Sequence, residues 1–195
     1  PLRYNIAPTQ DIAVIIETDM GRELEMMRWG LIPSWAKDPK SIPLYFNAKS
    51  ETAAEKPSFR SAMRKRRCLI PADGFYEWKK EGKQKLPFYI RRPDEQPFAF
   101  AGLWEQWQDT RSCTILTTAP NELMRPLHDR MPVILSPNDY DVWLNTEAKE
   151  PAKLDYLYEP SPDSELIATP VSTVVNNAKH EGSDCIEAPG NDTLF

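Results

Sequence analysis

Only two histidines occur in this chain of 195 residues, and one of them, His128, stands in MRPLHDRMPVIL (124–135), at the mouth of an apolar run that reads as a strand. Histidine is the one side chain that titrates near neutrality without help, which suits it to proton transfer and equally to a structural hydrogen bond at a loop-to-strand junction. In GFYEWKKEGKQKLPFYIRR (74–92), strand alternation sets Phe75, Glu77 and Lys79 on one face and Tyr76, Trp78 and Lys80 on the other. A carboxyl beside an aromatic wall should have a raised pKa and suit general acid/base work. An edge-strand glutamate paired with Lys79 or Lys85 would not. Asn47 and Lys49, two residues apart in LYFNAKSETAAEKPSF (44–59), share a face if the stretch is extended. The amide can orient a nucleophile or cap a turn, and the ammonium can meet a phosphate. Trp35, on the proline-bounded loop of WGLIPSWAKDP (29–39), is either a core plug or a platform for an unpaired base.

The elements that must position these residues are short. Nineteen prolines against seven glycines divide the chain, and most of the segments between them are rich in β-type residues. Strands are expected at 12–16, 24–32, 67–72, 74–80, 87–92, 98–107, 112–118, 132–136 and 165–171. Helices are expected in KPSFRSAMRKR (56–66), opened by a proline and a capping serine, and in SPNDYDVWLN (136–145). Close-spaced strands with few helices imply a mixed or antiparallel sheet folded on itself, in one domain, and EPSPDSE (159–165) reads as a surface loop.

Composition narrows the function classes. The formal charge of −5 argues against a non-specific nucleic-acid coat, but it is unevenly spread. FRSAMRKRR (59–67) holds five Arg and Lys and no acid, whereas residues 138–195 hold twelve Asp and Glu against three Lys. The basic stretch is a phosphate contact or a solvated helix face. Cys68, Cys113 and Cys185 are odd in number, with no Cys-x-x-Cys spacing and no histidine pair, so neither a disulfide framework nor a zinc site is expected and a reducing compartment is. No apolar run is long enough for a membrane helix and no leader is recognisable.

Seven segments, in register and covering most of the chain, together resemble the SRAP family, the SOS response-associated peptidases, whose members shield abasic sites in single-stranded DNA. They are RYNIAPTQ (3–10), RWGLIPSWAKD (28–38), FNAKSET (46–52), KPSFRSAMRKRRCLIPADGFYEWKK (56–80), FAFAGLWEQW (98–107), CTILTTAPNELMRPLHDRMPVIL (113–135) and VSTVVNNAKHEG (171–182). The resemblance implies an α+β fold in which a curved, barrel-like, mainly antiparallel sheet carries a few short helices and a positively charged DNA groove. Residues 1–195 would form a single SRAP domain that starts about 35 positions into the family pattern.

By the same resemblance Glu77 matches the acid/base glutamate of the GFYEW motif, Asn47 the active-site asparagine and His128 the histidine of HDRMP, which would assist Schiff-base chemistry at the opened sugar. Trp35, Thr117, Arg130 and Lys49 match DNA-contacting positions, Lys49 standing where many members carry arginine and so lacking the bidentate fork. The implied activity is a covalent thiazolidine crosslink to an abasic aldehyde, together with removal of the initiator methionine. No metal or other cofactor is implied, the partner is single-stranded DNA with abasic sites, and a cytoplasmic monomer is expected, nucleoid-associated if bacterial. The reactive residue in the family is an N-terminal cysteine, whereas this sequence begins at Pro1. A free terminal amine, with a pKa of about 7.7–8.0, forms the imine that the thiol of the same residue then closes. Cys68, Cys113 and Cys185 have their nitrogens locked in amides and cannot do this. A second reading, a module that grips single-stranded DNA without covalent chemistry, therefore stays open.

Overall fold

Alternate residues of five strands point into one barrel, and this sets the architecture. In the computed structural model, which describes residues 2–147 and 151–190, the strands are β1 (Asp11–Thr18), β2 (Gly21–Trp29), β3 (Asn47–Lys49), β4 (Arg67–Ala72), β5 (Phe75–Glu81), β6 (Gln84–Arg91), β7 (Phe98–Trp107), β8 (Thr110–Thr118), β9 (Met131–Pro132), β10 (Ile134–Leu135) and β11 (Ile167–Pro170). The helices are α1 (Ser50–Ala53), α2 (Arg60–Lys65) and α3 (Tyr140–Leu144), with several 3₁₀ turns between them. Strands β7, β4, β1, β2 and β8 neighbour one another in that order, and the β7–β8 hairpin closes the ring.

Inside the ring pack Ile12, Val14 and Ile16 of β1, Met27 of β2, Cys68 and Ile70 of β4, Phe98 and Phe100 of β7, and Cys113 and Ile115 of β8. The intervening residues Leu69, Ala99, Ala101, Leu103 and Leu116 face outward, yet they too are buried, under Ala53 of α1, Ala62 and Met63 of α2 and Trp143 of α3. Burial on both faces explains why FAFAGL and CTIL read as continuous apolar runs instead of alternating ones. A second sheet, β11–β6–β5, lies beside the barrel. It is joined to it through Phe75, Phe88, Ile90, Met124, Met131, Ile134 and Leu166, with Phe75 edge-on to Phe100 at 5.8 Å.

The curved, mainly antiparallel α+β fold expected from the sequence is the one observed, with local corrections. Two ladders are parallel, β2–β8 and β3–β8, because β8 must accept strands arriving from the opposite end of the barrel. The run 132–136 is two short strands, since residue Val133 leaves its ladder to bond Ala101 and Leu116. Helix α2 begins only at Arg60, with Phe59 at its cap and no side-chain capping bond, so Pro57 and Ser58 belong to the preceding turn. The 159–165 segment is not simply a surface loop: Ser161 is buried and its carbonyl accepts from Asn121 Nδ2 at 2.9 Å. No helix among the described residues is long and apolar enough to cross a membrane.

The basic stretch 59–67 is also revised. Arg67 is 2 % exposed, donating to the carbonyls of Trp143 (2.6 Å), Met63 (2.9 Å) and Asn145 and stacking over the Trp143 ring at 5.5 Å. Desolvation lowers its pKa. Arg66 pairs with the buried Glu105 at 2.6 Å. Two of the five basic residues therefore hold the fold, leaving Arg60, Arg64 and Lys65 in solvent. Replacing Arg67 with Met would leave three inward carbonyls without donors, each costing about 1–3 kcal/mol. Arg67→Met is expected to lower the unfolding free energy by about 3 kcal/mol or more in urea titrations; an unchanged midpoint would refute this clamp.

Candidate functional site

Glu77 lies mid-way along β5, opposite Phe88 of β6. Its neighbours in sequence, Tyr76 and Trp78, pack on the other face with Tyr4, Tyr89 and Val175, as the alternation predicts. The corner before β5 is set by Gly74, where a Cβ would lie 2.2 Å from the Tyr89 ring, so only glycine lets the hairpin fold back this closely. Glu77 is half-buried, and Lys79 instead pairs with Glu81 at 2.5 Å, so the surface salt bridge that would make Glu77 inert is not formed with that lysine. Burial raises the Glu77 carboxyl above its usual 4.5, the positive field of His128 opposes this in part, and Asp129 adds to it. Glu77 and His128, 51 positions apart, are thus electrostatic neighbours.

His128 ends the turn-rich loop between β8 and β9. Asn121 shapes this loop: its Oδ1 accepts from Met124 N at 2.9 Å while its amide holds Ser161. His128 N bonds the Met124 carbonyl at 2.9 Å. At the ring, the Arg130 amide donates to Nδ1 at 3.0 Å, which selects the neutral tautomer carrying its proton on Nε2. The same Nδ1 lies 3.2 Å from the Asp129 carboxylate and 3.2 Å from the Arg130 carbonyl, acceptors that would serve a protonated ring. The imidazole is therefore held through Nδ1 and is half exposed to solvent.

Around it lies a strip of polar residues organised by the far end of β8. Lys49 pairs with Thr117 and Asn47 with Ile115 in the parallel ladder, while Thr117 and Thr118 pair with Pro132 and Met131 on the other side. The exposed, buried, exposed pattern of Asn47, Ala48 and Lys49 sets the two polar side chains on one solvent face. Thr117 is buried, its hydroxyl donating to the Ala48 carbonyl at 3.5 Å. Arg130 donates to the Thr117 carbonyl and forms a two-pronged pair with Glu51 at 2.6 and 2.8 Å, its Nε buried with no partner among the described residues. That pair holds the Glu51 carboxyl below the usual carboxylate range. Trp35 stands apart on its loop, 55 % exposed, with its indole N–H on the Pro57 carbonyl at 3.3 Å.

The structure thus gathers Glu77 with His128, and Lys49, Thr117 and Arg130 with one another; Asn47 joins the second group through its strand. Sequence reasoning missed Glu51, although it lies inside FNAKSET, and an acid two residues from Lys49 was the available signal. It also missed Asn121. The strip is mixed in charge, Lys49 and Arg130 lying near Glu51, and Asp129 beside His128.

The family model described as SOS response associated peptidase (SRAP) matches residues 1–178. The chain belongs to this family. It is 45 % identical over 191 residues to the abasic site processing protein YoqW of Bacillus subtilis, covering 95 % of this chain and 85 % of that protein. It is 34 % identical over 191 residues to the abasic site processing protein YedK of Escherichia coli, covering 95 % and 84 %. A solved structure of a Bacteroides thetaiotaomicron protein superposes with a TM-score of 0.85 at 29 % identity, covering 93 % of this chain and 82 % of that one. The SRAP match spans both sheets and every residue of the strip described above.

Because folded Glu77 keeps its proton to higher pH than unfolded Glu77, the folded state binds more protons above about pH 4.5, and this residue's contribution to stability falls as pH rises through that window. Glu77→Gln is expected to be more stable than the parent at neutral pH, with the difference shrinking in acid. Parallel thermal unfolding from pH 4 to pH 8 checks this, and a pH-independent difference would show that the carboxyl is not perturbed.

Proposed function

We propose that this protein processes abasic sites in DNA, binding single-stranded DNA and capturing the opened sugar at the Glu77–His128 pair. The observation that carries the reading is the proximity of a half-buried carboxyl, whose proton is held to higher pH by desolvation, to a half-exposed imidazole anchored through Nδ1. Capture of an aldehyde by an amine needs a proton delivered to the departing hydroxyl and another removed from nitrogen, which a carboxyl and an imidazole side by side can supply. Asn47 orients the reacting groups, and Lys49, Arg130 and the Trp35 indole hold the strand through phosphate and base stacking. Thr117 contributes by placing Arg130.

The covalent step in this reading is a thiazolidine formed by the amine and thiol of an N-terminal cysteine. None of the three cysteines present serves, since all are internal and buried. The Tyr76 hydroxyl donates to the Tyr4 carbonyl at 2.6 Å, holding Tyr4 against the face of β5 opposite Glu77. The Glu77–His128 pair would also hydrolyse the bond after an initiator methionine, the peptidase activity of the family description. Purely non-covalent binding is the second reading, for which Lys49, Arg130 and the exposed Trp35 would suffice.

Incubating the intact mature protein with single-stranded DNA bearing an abasic site separates the two. A species surviving denaturing electrophoresis is expected, and retention that vanishes with salt and leaves no such species would favour the non-covalent reading. Glu77→Gln should slow formation or reversal of the adduct at least tenfold while leaving DNA affinity nearly intact; equal rates would dismiss the acid/base role. Arg130→Ala should weaken binding and flatten the logarithmic salt dependence by about 0.7, the share of one single-strand phosphate, and a parallel salt series would refute the contact.

A further inference from the structure

The second histidine is not used by the site above. His180 lies in the segment that follows the 3₁₀ turn Thr173–Asn176, and its Nε2 is 2.7 Å from Asp184 Oδ1. Cys185, fully buried, lies within the 3₁₀ turn Ser183–Ile186, and its thiol lies 3.8 Å from the His180 carbonyl. The imidazole nitrogen, the carboxylate oxygen and the sulfur all lie within 4.8 Å of one another.

We propose that His180, Asp184 and Cys185 form a binding site for a borderline-soft divalent metal ion of the zinc class. The donor set is one nitrogen, one oxygen and one sulfur, each a common zinc ligand, and three such groups with an open fourth position make a usual zinc geometry. Bond lengths of about 2.0–2.3 Å at tetrahedral angles require ligand atoms about 3.3–3.6 Å apart. The His180–Asp184 pair must therefore open by about 0.6 Å and the sulfur close by about 1 Å, both within the reach of side-chain rotation. His180 and Asp184 keep 38 % and 46 % of their side chains exposed, so the fourth position faces solvent and the ion has a way in. Binding replaces the hydrogen bond between them by two metal bonds and releases the thiol proton of Cys185 to water.

Two independent features preform the site. Gly182 lies under it: a Cβ there would sit 2.3 Å from Asp184 Oδ1 and 3.1 Å from His180 Nε2, so the missing side chain is the space in which these two donors converge. Asn5 fixes the segment from outside, its single amide donating to the carbonyls of Val175 (3.1 Å), Asn177 (3.0 Å) and His180 (3.1 Å). Arg3 adds an ion pair to Glu181 at 3.6 Å. The sequence expectation of no zinc site weighed only Cys-x-x-Cys spacings and histidine pairs, and a His-x₃-Asp-Cys cluster satisfies neither pattern. An ion here would rivet the loop that seats Asn5, and through it the start of the chain beside β5.

Cobalt(II) added to metal-stripped protein is the direct probe, because a thiolate ligand gives a near-ultraviolet charge-transfer band that oxygen and nitrogen ligands do not. The expected result is a band saturating at one equivalent, abolished in Cys185→Ser and needing more than about 100-fold higher cobalt in His180→Gln, the upper end of what loss of an outer-sphere partner costs. Gly182→Ala should weaken binding as well. Zinc should raise the melting temperature of the parent and not of the His180 variant. No band in the folded parent, or a band undiminished in Cys185→Ser, would overturn the site. Should Cys185→Ser fail to fold, an undiminished band in the half-exposed His180→Gln would overturn it equally.

Discussion

Strand β8 changes its neighbours half-way along, and the rest of the molecule is arranged around that change. From Thr110 to Ile115 it pairs with β7, with a short parallel contact to β2, and closes the barrel; from Ile115 to Thr118 it pairs with β3 on one side and β9 on the other. A strand can do this only where the barrel wall splays, because each of its edges offers one row of hydrogen-bonding groups. The splay brings FNAKSET against the HDRMP loop, and it is filled from behind by α1 and by Val133, Leu116 and Ala48 of the outer core. The polar strip is thus a consequence of hydrogen-bond saturation along β8, and the second sheet completes it by setting Glu77 against His128.

Within that strip, binding and stability pull in opposite directions. Arg130 is the residue best shaped for a phosphate, yet its two terminal nitrogens are already held by Glu51 and the Thr117 carbonyl. In the proposed reading an incoming phosphate would have to displace a carboxylate or share the guanidinium with it, so the pair would preserve the geometry of the arginine at the expense of raw affinity. The exposed Glu51 partner, half in solvent, makes that exchange inexpensive compared with a fully buried pair. Glu77 carries the complementary strain, a carboxyl kept where its charged form is poorly solvated.

How much of this was legible in the sequence depended on whether local pattern or distant partners decided the outcome. The boundaries of β4 and β7 follow from apolar runs bounded by Arg, Pro and Asp, and the faces of β5 follow from alternation, because a strand's geometry is fixed by its own backbone. The resemblance added what no spacing carries, the expectation that residues 47, 77 and 128 act together; of these the structure makes Glu77 and His128 electrostatic neighbours. What remained hidden were the partners. Arg66 and Arg67 look like part of a phosphate-binding patch until Glu105 and three carbonyls are brought to them, and Asn5 looks like a turn former until it is seen holding residues some 170 positions away. The parallel ladders were equally invisible, since β3 has only three residues and no pattern of its own.

The two histidines show how the same side chain is committed differently by its surroundings. His128 receives a backbone amide on Nδ1 and is half exposed to solvent, near a carboxyl that is short of charge stabilisation. His180 has its Nε2 turned instead onto Asp184, over a glycine and next to a buried thiol. Of the two places, the second offers three donors of different softness converging on one point, which is the requirement of a metal ion and is unnecessary for a hydrogen bond alone. The two sites are also mechanically joined. The His180 carbonyl is one of three that grip Asn5, Tyr4 is tied to Tyr76, and Tyr76 adjoins Glu77. Whatever tightens the loop around His180 therefore tightens the segment of Tyr4 and Asn5 that lies against β5.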